Sequence, residues 1–161
     1  MNKAYVRHNR VNKPDRLSIP LIKRCINTVL RLEGVGISCE VSVLVTDDLA
    51  IREINREFRG KDEPTDVLSF PMLELSAQGW VEPAPCAIDP ETGLLPLGEI
   101  VLSAERVDRQ AQEYGNSRDR ETAYLTVHSV LHLLGYDHGS EPEEKARMRT
   151  REKQIMLEMG F

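Results

Sequence analysis

A chain of 161 residues, 40% apolar and 29% charged, suits one soluble globular domain around a single core. No apolar run approaches the roughly 18 residues that a membrane span requires, and the polar, basic opening MNKAYVRHNRVNKPDR lacks the apolar segment of a secretory signal, so the cytoplasm is the expected compartment. A net charge of -5 argues against a protein that coats nucleic acid through a global positive field, although local basic groups can still act.

From Leu17 to Leu32, Ile22, Ile26, Val29 and Leu30 recur at helical spacing until Gly34 and Gly36 end the pattern, which predicts a first helix. ISCEVSVLVT follows, with Ile37, Cys39, Val41, Val43 and Val45 alternating against smaller or polar residues, the period of a half-buried strand. Thr46 or Asp47 can cap a second helix running to about Phe58, with Leu49, Ile54 and Phe58 among its apolar residues. In GKDEPTDVLSFP, Gly60 and Pro64 mark a loop and TDVLSF a short strand that Pro71 ends or edges. Residues 74–97, rich in Pro and Gly, form a long irregular connection, of a kind that is either functional or loose. GEIVLS restores a strand at 98–103, and Ala104 to Tyr114 forms a helix ended by Gly115. Ser117 begins another helix, whose core stripe is Tyr124, Val127, Leu131 and Leu134, and an amphipathic helix from about Glu141 to Met159 closes the chain with Pro142 in its first turn. These elements suggest one sheet of about four strands covered by helices, with a strand order that the pattern leaves open.

Cys25, Cys39 and Cys86 form neither a disulfide framework nor a C-x-x-C knuckle, and are expected to be reduced thiols of no special role. Basic residues gather in three groups. Arg7, Arg10, Lys13 and Arg16 form the first, and Lys145, Arg147, Arg149, Arg151 and Lys153 form the last, a solvated face alternating with Glu143, Glu144 and Glu152. The middle group, Arg52, Arg56, Arg59 and Lys61, lies in the segment before the short strand.

HSVLHLLGYDH, residues 128–138, holds three of the chain's four histidines. His128 and His132 are four residues apart on one helix, so their imidazoles project from the same face, at the edge of the core stripe. Gly135 can take the left-handed conformation that ends a helix and lets the chain turn back to deliver His138. Three nitrogen ligands with an open fourth position are a catalytic zinc pattern, whereas a closed structural site would normally recruit a fourth protein ligand. The alternative, three satisfied histidines at the core edge, does not account for the spacing, the glycine and the scarcity of histidine elsewhere.

H-x-x-x-H-x-x-G-x-x-H resembles the metzincin peptidases, but Ser129 stands where their general-base glutamate follows the first histidine, and serine cannot replace it at neutral pH. The whole string instead resembles the YbeY family of bacterial metal-dependent endoribonucleases, in which H-G-x-L-H-L-x-G-Y-D-H is common and Ser129 is a small-for-small departure. NREFRGKDEPTDVLSFP, from Asn55 to Pro71, resembles that family's other signature, and LGEI at 97–100 a third, where aspartate is common in place of Glu99. The resemblance runs from about residue 37 to 138. It implies an α+β domain with a mixed four-stranded sheet, one zinc ion per chain, RNA as substrate, and a role in ribosomal RNA maturation and ribosome quality control that brings the chain to the small ribosomal subunit.

For such a reaction a metal at His128, His132 and His138 can polarise a phosphoryl oxygen and acidify a water, or merely stabilise charge while a ribose 2′-hydroxyl attacks. Arg59, which matches the family's motif arginine, is the candidate phosphate clamp, against the alternative of a surface ion pair with Asp62 or Glu63. Asp137 can orient a histidine or relay a proton, or cap the turn after Gly135. Glu121, two helical turns before His128, is a weaker partner for that site, and Thr65 and Ser69 are candidate cleft residues. Two rivals remain: a metallopeptidase taking its base from Glu99 or Asp137, and a non-enzymatic ribosome-associated module that the metal only stabilises.

Overall fold

Strict alternation marks the centre of the sheet. In β2 (Cys39–Thr46), Cys39, Val41, Val43 and Val45 are buried on one face while Glu40, Ser42 and Leu44 are half-buried on the other. In this computed structural model, which describes residues 1–75, 79–137 and 141–161, β2 lies between β1 (Lys3–His8) and β4 (Leu95–Ser103), and β3 (Val67–Pro71) pairs with the far side of β4. β1, β2 and β4 run parallel and β3 antiparallel, giving a mixed sheet of order β1-β2-β4-β3. Five α-helices accompany it among the described residues: α1 (Ile19–Leu32), α2 (Asp48–Arg59), α3 (Ala104–Tyr114), α4 (Arg118–Leu133) and α5 (Pro142–Glu158). The class is α+β, as expected from the resemblance.

β1 is absent from the pattern-based expectation for a physical reason. It is an edge strand that exposes Lys3, Tyr5 and Arg7 and only half-buries Ala4, Val6 and His8, so its alternation is between polar and weakly apolar positions. β4 also begins three residues earlier than GEIVLS.

The two faces of the sheet are covered unequally. The β2 valines, Ile100 and Leu102 of β4, Ile22, Ile26 and Leu30 of α1, and Leu131 and Leu134 at the end of α4 form the main core. Burying a side chain of this size contributes about 1.5–3 kcal/mol. The opposite face holds a smaller cluster, Ile51 of α2 against Leu68 and Val101, with Leu44, Ile54 and Phe70 at its margin. Leu49 and Phe58 of α2 are exposed, so Ile51 is the residue that seats this helix. Its cap is Asp47, whose Oδ1 accepts from the Ala50 amide, and not Thr46.

α4 is buried on almost all sides, between α1, α3, α5 and the β3–β4 edge. Its core stripe is wider than Val127, Leu131 and Leu134, taking in Ala123, Leu125, Val130 and Leu133, whereas Tyr124 is 37% exposed. The 74–97 connection is not loose where it is described: Trp80, Ala87 and Ile88 are packed on the core. Asp89 closes a turn there, its Oδ1 accepting from the Glu91 amide at 2.8 Å and its own amide donating to the Leu94 carbonyl at 2.9 Å. All three thiols are free. Burial pushes Cys25 up to about 12 and Cys39 up to about 11, while Cys86 is exposed. No helix among the described residues is long and apolar enough to cross a membrane.

One glycine fixes how closely β3, β4 and α4 meet. The β2–β4 register shifts so that Glu40 faces Pro96 but Val41 faces Gly98, which places an extra residue on β4. Gly98 has φ +144°, and a Cβ there would lie 2.2 Å from the Phe70 carbonyl oxygen and 2.9 Å from Leu133 Cδ2. Gly98→Ala is therefore expected to destabilise the protein by about 3 kcal/mol, the sum of a glycine-only backbone conformation and a collision with backbone. The check is the midpoint of denaturant unfolding, and an unchanged midpoint would mean that β3 does not sit against β4 as described.

Candidate active site

A helix that is itself part of the core presents the histidines. On α4 the His128 and His132 ring centroids are 4.7 Å apart with an 81° interplanar angle. Both rings are half-buried at the edge of the helix's covered surface, as their spacing predicts. His132 Nδ1 lies 2.8 Å from the Tyr136 carbonyl oxygen, which can only accept, so that nitrogen carries the proton. His128 Nδ1 lies 2.5 Å from Oε1 of Glu152 on α5. In each ring Nε2 is then the nitrogen through which a cation would be ligated.

Gly135, at φ +96°, ends the helix as expected: its amide donates to the His132 carbonyl and the Tyr136 amide to that of Leu131. Tyr136 is held in turn by its hydroxyl, which donates to Glu33 Oε2 at 2.8 Å. Burial, and then that carboxylate, push the Tyr136 phenol up to about 12. His138 lies outside the described residues.

The facing wall comes from the other half of the chain. A cleft of about 300 Å³ is lined by His128, His132 and Asp137 on one side and by Val67, Ser69, Pro71 and Arg59 on the other. The three β3 residues alternate onto the α4 side of the sheet, while Phe70 points to the α2 side. Arg59 is placed by the end of α2, which two contacts fasten to its surroundings. Phe58 meets Phe70 edge to face at 5.5 Å, and the buried Asn55 donates through Nδ2 to the Glu63 carbonyl at 2.9 Å. Of the two alternative partners for Arg59, Asp62 accepts from Arg52 at 2.9 and 3.2 Å, and Glu63 forms no ion pair among the described residues. Among the described residues Arg59 makes no ion pair, and its side chain is exposed at the cleft.

Other sequence candidates lie elsewhere. Glu121 is buried and accepts from Asn116 Nδ2 at 2.7 Å, outside the cleft. Two turns of helix carry it too far along the axis to meet the histidines, although it shares their face. Thr65 Oγ1 donates to the neighbouring Asp66 Oδ1 at 3.3 Å. Glu99 pairs in register with Phe70 on the opposite face of the sheet, in a larger hollow of about 870 Å³ that includes Tyr5, Arg7 and Phe58. Among the described residues no histidine or cysteine lines that hollow, whereas two histidines line the smaller cleft. Ser129 is fully buried and its Oγ has no hydrogen-bond partner among the described residues.

Glu152 is the functional candidate that residue pattern alone passes over. It sits among the charged residues of the last helix, yet Met148, Ile155 and Met156 flank it at offsets of 4, 3 and 4, which places it on the buried stripe of α5. Tyr124 belongs with it: the hydroxyl donates to Glu152 Oε2 at 3.2 Å, and burial followed by that carboxylate pushes the phenol up to about 12.

Two imidazoles with their Nδ1 atoms engaged are a donor set suited to zinc. Among the described residues no group of three or more His, Cys, Asp or Glu is placed to hold a metal, and the third expected ligand, His138, lies outside them.

Comparison with known proteins agrees with the motifs. The family model described as Endoribonuclease YbeY matches residues 6–160. The chain belongs to the Endoribonuclease YbeY family. A YbeY relative named Endoribonuclease YbeY in Clostridium acetobutylicum is 52% identical over 141 residues, covering 84% of each chain. Another with that name, in Thermoanaerobacter sp. (strain X514), is 44% identical over 155 residues and 95% of each chain. A third, in Chloroflexus aurantiacus, is 48% identical over 141 residues, covering 88% of this chain and 86% of its own. The solution structure of a Thermotoga maritima protein shares the fold with a TM-score of 0.59 at 24% identity, covering 96% of this chain and 87% of that one.

Ser129, next to His128, is buried in the core and does not line the cleft. Ser129→Ala should leave the unfolding midpoint unchanged or raise it by up to about 1 kcal/mol in stability, because it removes a buried hydroxyl that lacks a partner. A loss larger than that, measured by denaturant titration, would show that the hydroxyl is hydrogen-bonded after all.

Proposed function

We propose that residues 1–161 form one metal-dependent hydrolase domain, a single-strand-type endoribonuclease acting in the cytoplasm in ribosomal RNA maturation and ribosome quality control, with ribosomal RNA and the small ribosomal subunit as partners. One zinc ion held by His128, His132 and His138 completes the site in this reading. The observation that carries it is the convergence in one cleft of Arg59 with His128 and His132, residues from distant parts of the chain.

A zinc ion there would supply Lewis acidity toward a phosphoryl oxygen or a water. The protein's own part is binding and proton handling. Arg59 presents a planar fork that can pair bidentately with two phosphate oxygens, and its exposure at the cleft keeps it open to substrate. Asp137 is the acid among the described lining residues, exposed at the mouth, where it can hold or move the proton of the attacking or leaving oxygen. Ser69 offers a hydroxyl on the β3 wall. The peptidase alternative loses one of its two bases, since Glu99 faces away from the cleft.

The direct test is to incubate zinc-loaded protein with precursor ribosomal RNA, with ribosomes and with a mixed peptide library. Metal-dependent shortening of RNA with intact peptides is the expected result, and peptide cleavage without RNA cleavage would overturn it. His132→Ala should lower the metal content, measured by elemental analysis, from one per chain to well below it. Arg59→Ala should keep fold and metal but lose RNA cleavage by about tenfold or more at subsaturating RNA, the loss of one charge-assisted contact of about 1.5–3 kcal/mol. Cleavage equal to that of the parent would remove Arg59 from the reaction.

A further inference from the structure

We propose that Glu152 is a positioning residue for the metal site: its buried carboxylate, delivered by α5, holds the His128 ring by Nδ1 and supplies the negative charge against which a divalent cation is bound at the other nitrogen. This rests on the reading of His128 as a metal ligand.

The carboxylate is only 4% exposed and both of its oxygens are engaged, Oε1 with His128 Nδ1 at 2.5 Å and Oε2 with the Tyr124 hydroxyl at 3.2 Å. A buried carboxylate needs a compensating charge as well as hydrogen bonds. Glu33, whose side chain is also buried, has one in the Arg151 guanidinium that pairs with it directly, whereas the equally buried Glu121 is met by the Asn116 amide alone among the described residues. Among the described residues Glu152 has no such Arg or Lys partner. Lys145 and Arg149 line the hollow beside it, yet among the described residues neither pairs with it, and its one ion-pair contact is the imidazole. Its charge is aimed through His128 toward the cleft.

His132 is held differently, by the neutral Tyr136 carbonyl. The two rings are thus oriented by unequal acceptors, and the anionic one makes its imidazole the stronger donor. Tyr124 completes the arrangement by fixing the second oxygen, so that the carboxylate cannot rotate away from the ring.

The test measures zinc affinity of the full chain by competition with a chromophoric chelator, beside the thermal midpoint of each metal-free protein. Glu152→Gln keeps the shape and an acceptor oxygen but removes the charge. It should weaken zinc binding by about 10- to 100-fold, while the metal-free midpoint moves by no more than a few degrees. Unchanged affinity overturns the proposal, as does a fall in the metal-free midpoint with unchanged affinity, which is what a purely structural carboxylate would give. His128→Ala separates the two levels of the reading. If it binds zinc as tightly as the parent, the ligand assignment falls and this inference with it; if it binds weakly while Glu152→Gln does not, only the role of Glu152 falls. Should Glu152→Gln fail to fold, Tyr124→Phe releases one oxygen without touching the ring, and a loss of about threefold or more is expected, with no loss counting against the proposal.

Discussion

Burial of α4 on nearly every side is the constraint on which the site depends. A helix in that position must find partners for its polar groups, and several on α4 are met locally. Thr122 Oγ1 donates to the Arg118 carbonyl at 2.9 Å, Thr126 Oγ1 to that of Thr122 at 2.7 Å, and Glu121 accepts from Asn116. Such a helix cannot shift or rotate without disturbing the core, so the backbone beneath His128 and His132 is held in place by the packing around it. The facing wall needs no comparable burial. It is fastened at separate points, Gly98 setting the approach of β3 to β4 and the Phe58–Phe70 contact tying the end of α2 to β3.

Charge is distributed so that an acidic chain can still offer a cation where the cleft opens. Arg10 pairs with Asp47, Arg106 with Asp48, Arg118 with Asp108, Arg52 with Asp62 and Arg151 with Glu33. The more exposed of these pairs contribute little to stability individually, whereas Arg151 reaches a buried carboxylate. One of them bears on the site, because Arg52 occupies Asp62 and leaves Arg59 directed at the cleft.

Local pattern makes much of this legible and long-range contact makes the rest invisible. The four-residue spacing of His128 and His132 forces them to one face, and the glycine after them ends the helix, so half of the cleft can be read from eleven residues. β2 and α1 are equally plain because their apolar periods are clean. β1 escapes because an edge strand with one half-covered face needs few apolar residues. Glu121 misleads because helical phase sets direction and not reach, while Glu152 escapes because its partner is on another helix and only the fold brings them together. Arg59 is a case between: its charge is evident, but its freedom from Asp62 depends on Arg52 having claimed that carboxylate.

Pro71 carries a further consequence. The Met72 amide donates inward to the Leu97 carbonyl, so along β3 the nitrogen of residue 71 faces the outer edge of the sheet, beside the cleft. Proline has no hydrogen there to offer. A strand from another molecule seeking to extend the sheet would meet a gap in the donor row within a strand of only five residues. The same ring that walls the cleft thus discourages edge-to-edge association at its rim, and keeps the approach to the histidines from being roofed by a neighbouring chain.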